Sequence, residues 1–385
     1  MVSTAMAKSR PQLAPRSTTA GCLVFLALAL AAPAASRAAP AHRSHTVVAI
    51  RGDDFYINGH LTYAGRSWQG HSIAGLLFNS RMVQGIFDDL DPATVATWAY
   101  PDTGRWDPDR NTAESIAAMP DWRRHGLLAF TLNLQGGSPT GYSRSLQPLQ
   151  NSAFTPDGSL RPAYMARLGR ILDRADQLGM VVILGYFYVG QVRDFTGEAA
   201  VIRASDNASL WLLNHGYRNV LVEIANETGS RFPQPILRPD RIAELITRTR
   251  KLSVRHTHLL AGTSFGGGVL PNESVVAASD FVLIHGNGVS DPQKIGQLVR
   301  DTRAVTGYTA KPILFNEDDH FAFDQPLNNM TAALAEHASW GYFDYRMAGE
   351  DPADGFQSVP VDWTIDSPRK LAFFHLLAEI TGSAP

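Results

Sequence analysis

From about residue 50 onward, short apolar runs rich in β-branched and aromatic residues alternate with longer stretches whose apolar positions recur every three or four residues. The first pattern predicts strands and the second amphipathic helices. Phe55-Tyr56-Ile57, ahead of the hairpin signal Asn58-Gly59, leads into residues 61–68 as a first strand region. Residues 127–134, 180–189, 220–225, 259–265, 281–285, 313–317 and 340–345 complete a set of eight. Helices are predicted between them at 112–124 with Asn111 as cap, 162–178, 206–214, 239–254, 293–305 and 331–338. The second of these is the clearest: Leu168, Ile171, Leu172, Ala175 and Leu178 share one face, and Gly179 follows as a stop. Strand alternating with helix implies βαβ units and a parallel sheet. Eight strands, with no glycine-rich dinucleotide fingerprint after the first, favour a closed (β/α)8 TIM barrel over an open doubly wound sheet. The first two βα units are long, so residues 69–111 and 136–160 are expected to form inserted loops over the C-terminal face.

Composition narrows the class. Of 385 residues, 44% are hydrophobic and 18% charged, with a formal charge of −2; one large core is affordable, and a nucleic acid or an anionic membrane is a poor partner. Lys8, Arg10 and Arg16 precede an apolar run over 22–32 and then small residues, the pattern of a cleavable export signal. Residues 1–39 are therefore expected to be a signal peptide, 40–46 a linker, and 47–385 a single catalytic domain, secreted or periplasmic, with no membrane contact once the signal is removed. The single cysteine, Cys22, lies in that signal, so the mature chain is expected to carry no disulfide, no thiolate metal site and no cysteine nucleophile.

Two carboxylates close predicted strands: Glu227 ends Val222-Glu223-Ile224-Ala225-Asn226-Glu227, and Glu317 ends Ile313-Leu314-Phe315-Asn316-Glu317. The C-terminal end of a barrel strand is the catalytic rim, and a carboxylate there is costly to desolvate unless it has a partner or a task. They lie 90 residues apart, or three units of about 30 residues in a barrel of about 250, which sets strands four and seven across the mouth from each other. Two facing carboxyls suit glycosidic cleavage, where one protonates the leaving oxygen and the other meets the cation-like sugar carbon. Glu223 shares alternation parity with Glu227 but lies deeper, and reads as a hydrogen-bonded interior carboxylate. Glu317-Asp318-Asp319-His320 reads as a solvated loop, because consecutive residues do not converge on one ion. Gly266-Gly267-Gly268 reads as a flexible turn. No metal and no cofactor are expected.

Val-Glu-Ile-Ala-Asn-Glu at 222–227 and Lys-Pro-Ile-Leu-Phe-Asn-Glu at 311–317 resemble the strand-four and strand-seven motifs of the large retaining glycosidase clan that includes the family 5 cellulases; Phe55-Tyr56-Ile57-Asn58-Gly59 is similar to its opening hairpin. The resemblance implies Glu227 as acid/base, Glu317 as nucleophile, Asn226 bonded to the sugar 2-hydroxyl, and a carbohydrate substrate. His285, ending strand six, is then a substrate contact or a partner of Glu317. Trp68, Asn133, Gln135, Tyr188, Gln191 and Tyr345, at or near strand ends, are further sugar-binding candidates. The chain departs from the pattern at Thr228, where the clan often has proline, at His285-Gly286-Asn287, where His-x-Tyr is common, and on strand eight, where no tryptophan closes the strand. A carbohydrate-binding barrel without catalysis is the alternative. A metal-dependent hydrolase would need several strand-end histidines, and strand one offers no His-x-His. Four Asn-x-Ser/Thr sites, at Asn207, Asn226, Asn272 and Asn329, match the glycosylation pattern; a glycan on Asn226 would block the site, so that one is expected to be unused.

Overall fold

The computed structural model describes residues 44–141, 149–351 and 353–383; the segment expected to be a signal peptide, with Cys22, lies outside them. The last residues of the expected linker are docked on the domain: Ser44 Oγ and the backbone N–H groups of His45 and Thr46 donate to the carboxylate of Asp176 at 2.8–3.1 Å.

Three short antiparallel strands come first, β1 Val48–Arg51, β2 Asp54–Ile57 and β3 His60–Leu61, then a small hairpin of β4 Ser67–Trp68 and β5 His71–Ser72. Eight βα units follow. Their strands are β6 Asn79–Arg81, β7 Ala129–Asn133, β8 Val181–Phe187, β9 Val220–Ala225, β10 Leu260–Gly262, β11 Val282–His285, β12 Ile313–Glu317 and β13 Gly341–Tyr342. Their helices are α1 Pro108–Arg124, α2 Pro162–Leu178, α3 Glu198–His215, α4 Ala243–Lys251, α5 Glu273–Ala278, α6 Pro292–Ala304, α7 Asn329–Ala335 and α8 Pro368–Thr381.

The strands form a (β/α)8 barrel. Six run as one parallel ladder in the order β10-β9-β8-β7-β6-β13, and β11 pairs with β12. Single parallel bridges, Leu314 with Ser339 and Asp318 with Tyr342, join β12 to β13. At the seam between β10 and β11, Asp280 N donates to Ala261 O at 3.0 Å and its carboxylate accepts from Ala261 N at 3.0 Å.

The inward stripe of the strands changes character from bottom to top. At the N-terminal ends Leu77, Val181, Leu221, Leu283 and Leu314 form an apolar cluster; one layer up, at the same parity, stand Asn79, Thr131, Glu223, His285 and Asn316, all fully buried. Residues of opposite parity, such as Val182, Leu184, Val222 and Ile224, face the helices in the larger core.

The first barrel strand is not the predicted one. Residues 55–68 are the hairpin region, in which Asn58 (φ 54°) and Gly59 (φ 79°) take the left-handed conformations of a tight turn. This region caps the lower end: Val48 N donates to Arg218 O at 2.9 Å, just ahead of β9, and Phe55 is fully buried among the lowest inward residues, 6.5 Å from the Phe281 ring. The true first strand, β6, follows the apolar triplet Leu76-Leu77-Phe78 and carries Asn79 and Arg81 into the interior. No described helix is long and apolar enough to cross a membrane.

Candidate active site

β9 and β12 deliver the two glutamates, and the backbone around each is anchored. Glu227 stands just past β9 with φ 53°, a left-handed conformation that is uncommon outside glycine and clusters at functional sites. Ser264, from the loop after β10, holds it there: its Oγ accepts from Glu227 N at 2.9 Å and its carbonyl from Thr228 N at 2.9 Å. Glu317 is the last residue of β12, opposite His285 in the ladder. One oxygen of each glutamate and a ring nitrogen of His285 lie within 4.8 Å of one another.

The surroundings of the two differ. Glu317 is 6% exposed and ion-paired to Arg81 Nη1 at 2.9 Å, and Asn287 Nδ2 donates to it at 2.6 Å. Glu227 keeps an exposed edge, meets His285 Nδ1 at 3.3 Å and has Arg231 at 3.8 Å. Burial raises the Glu317 carboxyl, with Arg81 and His285 opposing the rise; the Arg81 charge and the single Asn287 donor favour the anion. Glu227 is desolvated as well, but His285, Arg81 and Arg231 hold it below the usual range. The pair therefore titrates as a unit. A metal ion on the Glu227–His285–Glu317 trio would sit against the Arg81 guanidinium, so the geometry suits a proton better than a divalent cation.

Arg81 was not singled out in the sequence, yet it organises the floor of the site. It is 1% exposed, its Nε donates to Gln357 Oε1 at 3.2 Å, and it lies 5.5 Å from the Phe343 ring. Gln357 Nε2 in turn donates to Ser138 O at 3.2 Å and Gly141 O at 2.9 Å, so the segment before α8 crosses to the loop after β7 above the carboxylates. What remains beside the two glutamates is a pocket of about 30 Å³, also lined by Asn226, Tyr188 and Phe343. That is room for about one water, far less than a sugar ring needs. A larger cavity of about 630 Å³ lies against α1, away from the carboxylates; its Tyr100 ring is already stacked on Trp106 at 5.5 Å and met by Arg110 at 3.8 Å.

The residues expected from sequence fall into three groups. Glu227, Glu317, His285, Asn226 and Tyr188 converge on the pocket or its wall. Asn226 is 3% exposed and its Oδ1 has no hydrogen-bond partner among the described residues, as suits an amide awaiting a hydroxyl. Gln135 and Gln191 instead tie loops together: Gln135 accepts from Tyr188 N at 3.1 Å and donates to Ser152 Oγ at 3.0 Å, and Gln191 accepts from Asn151 N at 3.1 Å. Asn133 points inward beside Gly185, where a Cβ would lie 2.2 Å from its Oδ1, and Tyr345 packs behind Phe343 at 5.4 Å. Trp68 is at the wrong end of the barrel. It lies in the β4–β5 hairpin, next to Tyr63, whose hydroxyl donates to Gly126 O below β7 at 2.8 Å, and it packs on the lower part of the core. Trp68→Ala should cost about 2 kcal/mol of stability and leave kcat/KM within about twofold, as a melt and a rate assay on one preparation will read; a large loss of activity in a stable variant would restore Trp68 to the site.

Two further expectations change. Asp318 is buried rather than solvated, and one ligand atom each of Asp318, Asp319 and His320 do converge, to within 4.8 Å of one another, contrary to the expectation for consecutive residues. Asp318 accepts from Trp340 Nε1 at 2.9 Å, Asn329 Nδ2 at 3.0 Å and His320 Nδ1 at 2.8 Å, and so braces β12 against β13. Thr228, in place of proline, donates to Leu237 O at 2.7 Å and pins the turn after Glu227.

No known family profile matches the chain, and no curated protein sequence matches it. Its fold does match solved structures. An endo-1,4-β-mannanase from Rhizomucor miehei superposes with a TM-score of 0.54 at 11% identity, over 88% of this chain and 100% of the other. A glycoside hydrolase family 5 protein from Bacteroides vulgatus gives 0.52 at 13% identity, over 86% and 69%. A glycoside hydrolase family 5 enzyme from Prevotella bryantii gives 0.50 at 12% identity, over 80% and 96%. At such identities the likeness is one of fold.

Proposed function

We propose that this chain is an exported glycoside hydrolase that retains anomeric configuration, with Glu317 as nucleophile and Glu227 as acid/base. The carrying observation is the pair of carboxylates from barrel strands four and seven, facing each other at the C-terminal rim with one oxygen of each less than 4.8 Å from one of the other. Retaining enzymes set their carboxyls about 5–5.5 Å apart, and inverting enzymes hold them about 6.5–9.5 Å apart to admit a water. The fold shared with glycoside hydrolases supports the same reading.

The roles follow from the donors. Arg81 and Asn287 stabilise negative charge on Glu317, which attacks the anomeric carbon as the glycosidic bond breaks. Glu227 faces the open side and gives its proton to the departing oxygen. In the empty site His285, Arg81 and Arg231 keep Glu227 acidic; a sugar that strips water from its exposed edge raises it toward the protonated form an acid needs. In the second half Glu227 takes a proton from water, which displaces Glu317 from the sugar. Binding requires the Gln357 segment that walls the pocket to give way and admit a ring; Asn226 then grips a hydroxyl of the sugar being cleaved.

A panel of β-mannan, β-glucan, xylan and aryl glycosides, with the first-formed product followed by proton NMR, tests this. Hydrolysis with the substrate's anomeric configuration is expected. Inversion would refute the double displacement; binding without hydrolysis across the panel would favour the non-catalytic barrel.

A further inference from the structure

Glu223 is completely buried, and the chemistry above gives it no task. Its contacts nevertheless lead to the reacting groups. Ser264 Oγ accepts from Glu227 N, and its own proton points to Glu223 Oε1 at 2.5 Å. Asn316 Nδ2 donates to Glu223 Oε2 at 3.1 Å. Both oxygens of Glu223 therefore act as acceptors, which describes an ionised carboxylate.

The polarity of the next link is then fixed. With its NH₂ turned to Glu223, Asn316 presents Oδ1 to His285 Nε2 at 3.1 Å, so Nε2 must carry a hydrogen. The other ring nitrogen, Nδ1, faces Glu227 Oε1 at 3.3 Å and Glu317 Oε2 at 3.7 Å, both acceptors, so it must carry one too. A ring with two N–H donors is an imidazolium. The charged groups around it are Glu223, Glu227 and Glu317, with Arg81 beyond Glu317. Desolvation works against the charged ring, but these carboxylates outweigh it and raise its proton affinity.

We propose that Glu223 is a positioning residue: acting through Asn316, it fixes His285 as a doubly protonated ring that places one positive charge between Glu227 and Glu317. The ring is a hydrogen-bond donor to the acid/base and, with Arg81, a counter-charge to the nucleophile. The buried carboxylate sets the orientation of the amide, and the amide sets the protonation of the ring. Its link to turnover rests on the glycosidase reading, but the protonation state does not.

The test is Glu223→Gln, which keeps the size and removes the charge. A neutral amide there lets Asn316 turn its NH₂ toward Nε2, which then has to accept, leaving a neutral ring. Long-range proton–nitrogen NMR of the histidine rings, with His285 assigned by its loss in His285→Asn, reads this directly. Wild type should show both ring nitrogens protonated at pH 7, and Glu223→Gln should move the ring's midpoint down by about one unit or more, with a melt showing that the variant is folded. A neutral ring in wild type at pH 7 overturns the proposal whatever the variant does, and so does an unchanged midpoint in a folded variant. Kinetics add a sign. Deleting the Glu223 charge with no change at His285 would ease ionisation of Glu317 and move the acid limb of kcat/KM to lower pH. Loss of the nearer imidazolium moves it to higher pH, which is the expected result; a move to lower pH overturns the route through the ring. If the NMR result holds and no substrate is cleaved, the glycosidase reading fails while this one stands.

Discussion

Replacing Glu317 by alanine should lower kcat for glycoside hydrolysis by about 10⁴-fold or more, because loss of the group that forms the covalent intermediate leaves only binding and charge stabilisation. The variant should fold, since the side chain sits at the rim and its removal opens space beside the existing pocket. It does leave Arg81 without its 2.9 Å partner, so some loss of stability is expected and a melt belongs with the assay. Azide or formate should restore part of the rate by attacking the anomeric carbon from the vacated side, giving a product of inverted configuration. Glu227→Ala should behave differently: substrates with good leaving groups keep their first step, and azide then yields a product of retained configuration. Normal turnover by Glu317→Ala on any cleaved substrate would end the assignment.

Arg81→Met should be the next most damaging change. The guanidinium and Glu317 are both almost wholly buried, and removing one partner of such a pair leaves an uncompensated charge costing about 3–5 kcal/mol. The protein relieves that cost by protonating Glu317, which removes the nucleophile. A drop of about 10²- to 10³-fold in kcat/KM, with the acid limb of the pH profile moved to higher pH, is the expected reading. Arg81→Lys keeps the charge but not the planar fork that reaches Glu317 and Gln357 together, so it should fall between wild type and Arg81→Met. Unaltered kinetics in Arg81→Met would mean that the pair serves folding alone.

How much of this was legible in the sequence depends on which way a residue faces. β9 and β12 were read to their last residues because each opens on a continuous apolar run, Val220-Leu221-Val222 and Ile313-Leu314-Phe315, that strand propensity picks out without ambiguity. α2 was read equally well because its buried face is uninterrupted and Gly179 ends it in a left-handed cap. β6 escaped notice because only three apolar residues precede Asn79 and Arg81; in an upper barrel strand the inward positions are polar, and periodicity fades where the chemistry begins. The Phe55 region was mistaken for that strand because a hairpin that closes a barrel buries the same residue types as the barrel itself. Trp68 went with it. Asn287 stood in plain view two residues after His285, yet nothing local marked it as the side chain that donates to Glu317 at 2.6 Å. Gln357 carried no local signal: its importance comes from contacts 216 and 276 residues away in the chain.

Phe55 and its hairpin stopper the barrel from below, against the lowest apolar layer of its packed interior. Cohesion is concentrated at one pole and reactivity at the other, so the upper loops are free to be exchanged, by evolution or by design, without loosening what keeps the chain folded.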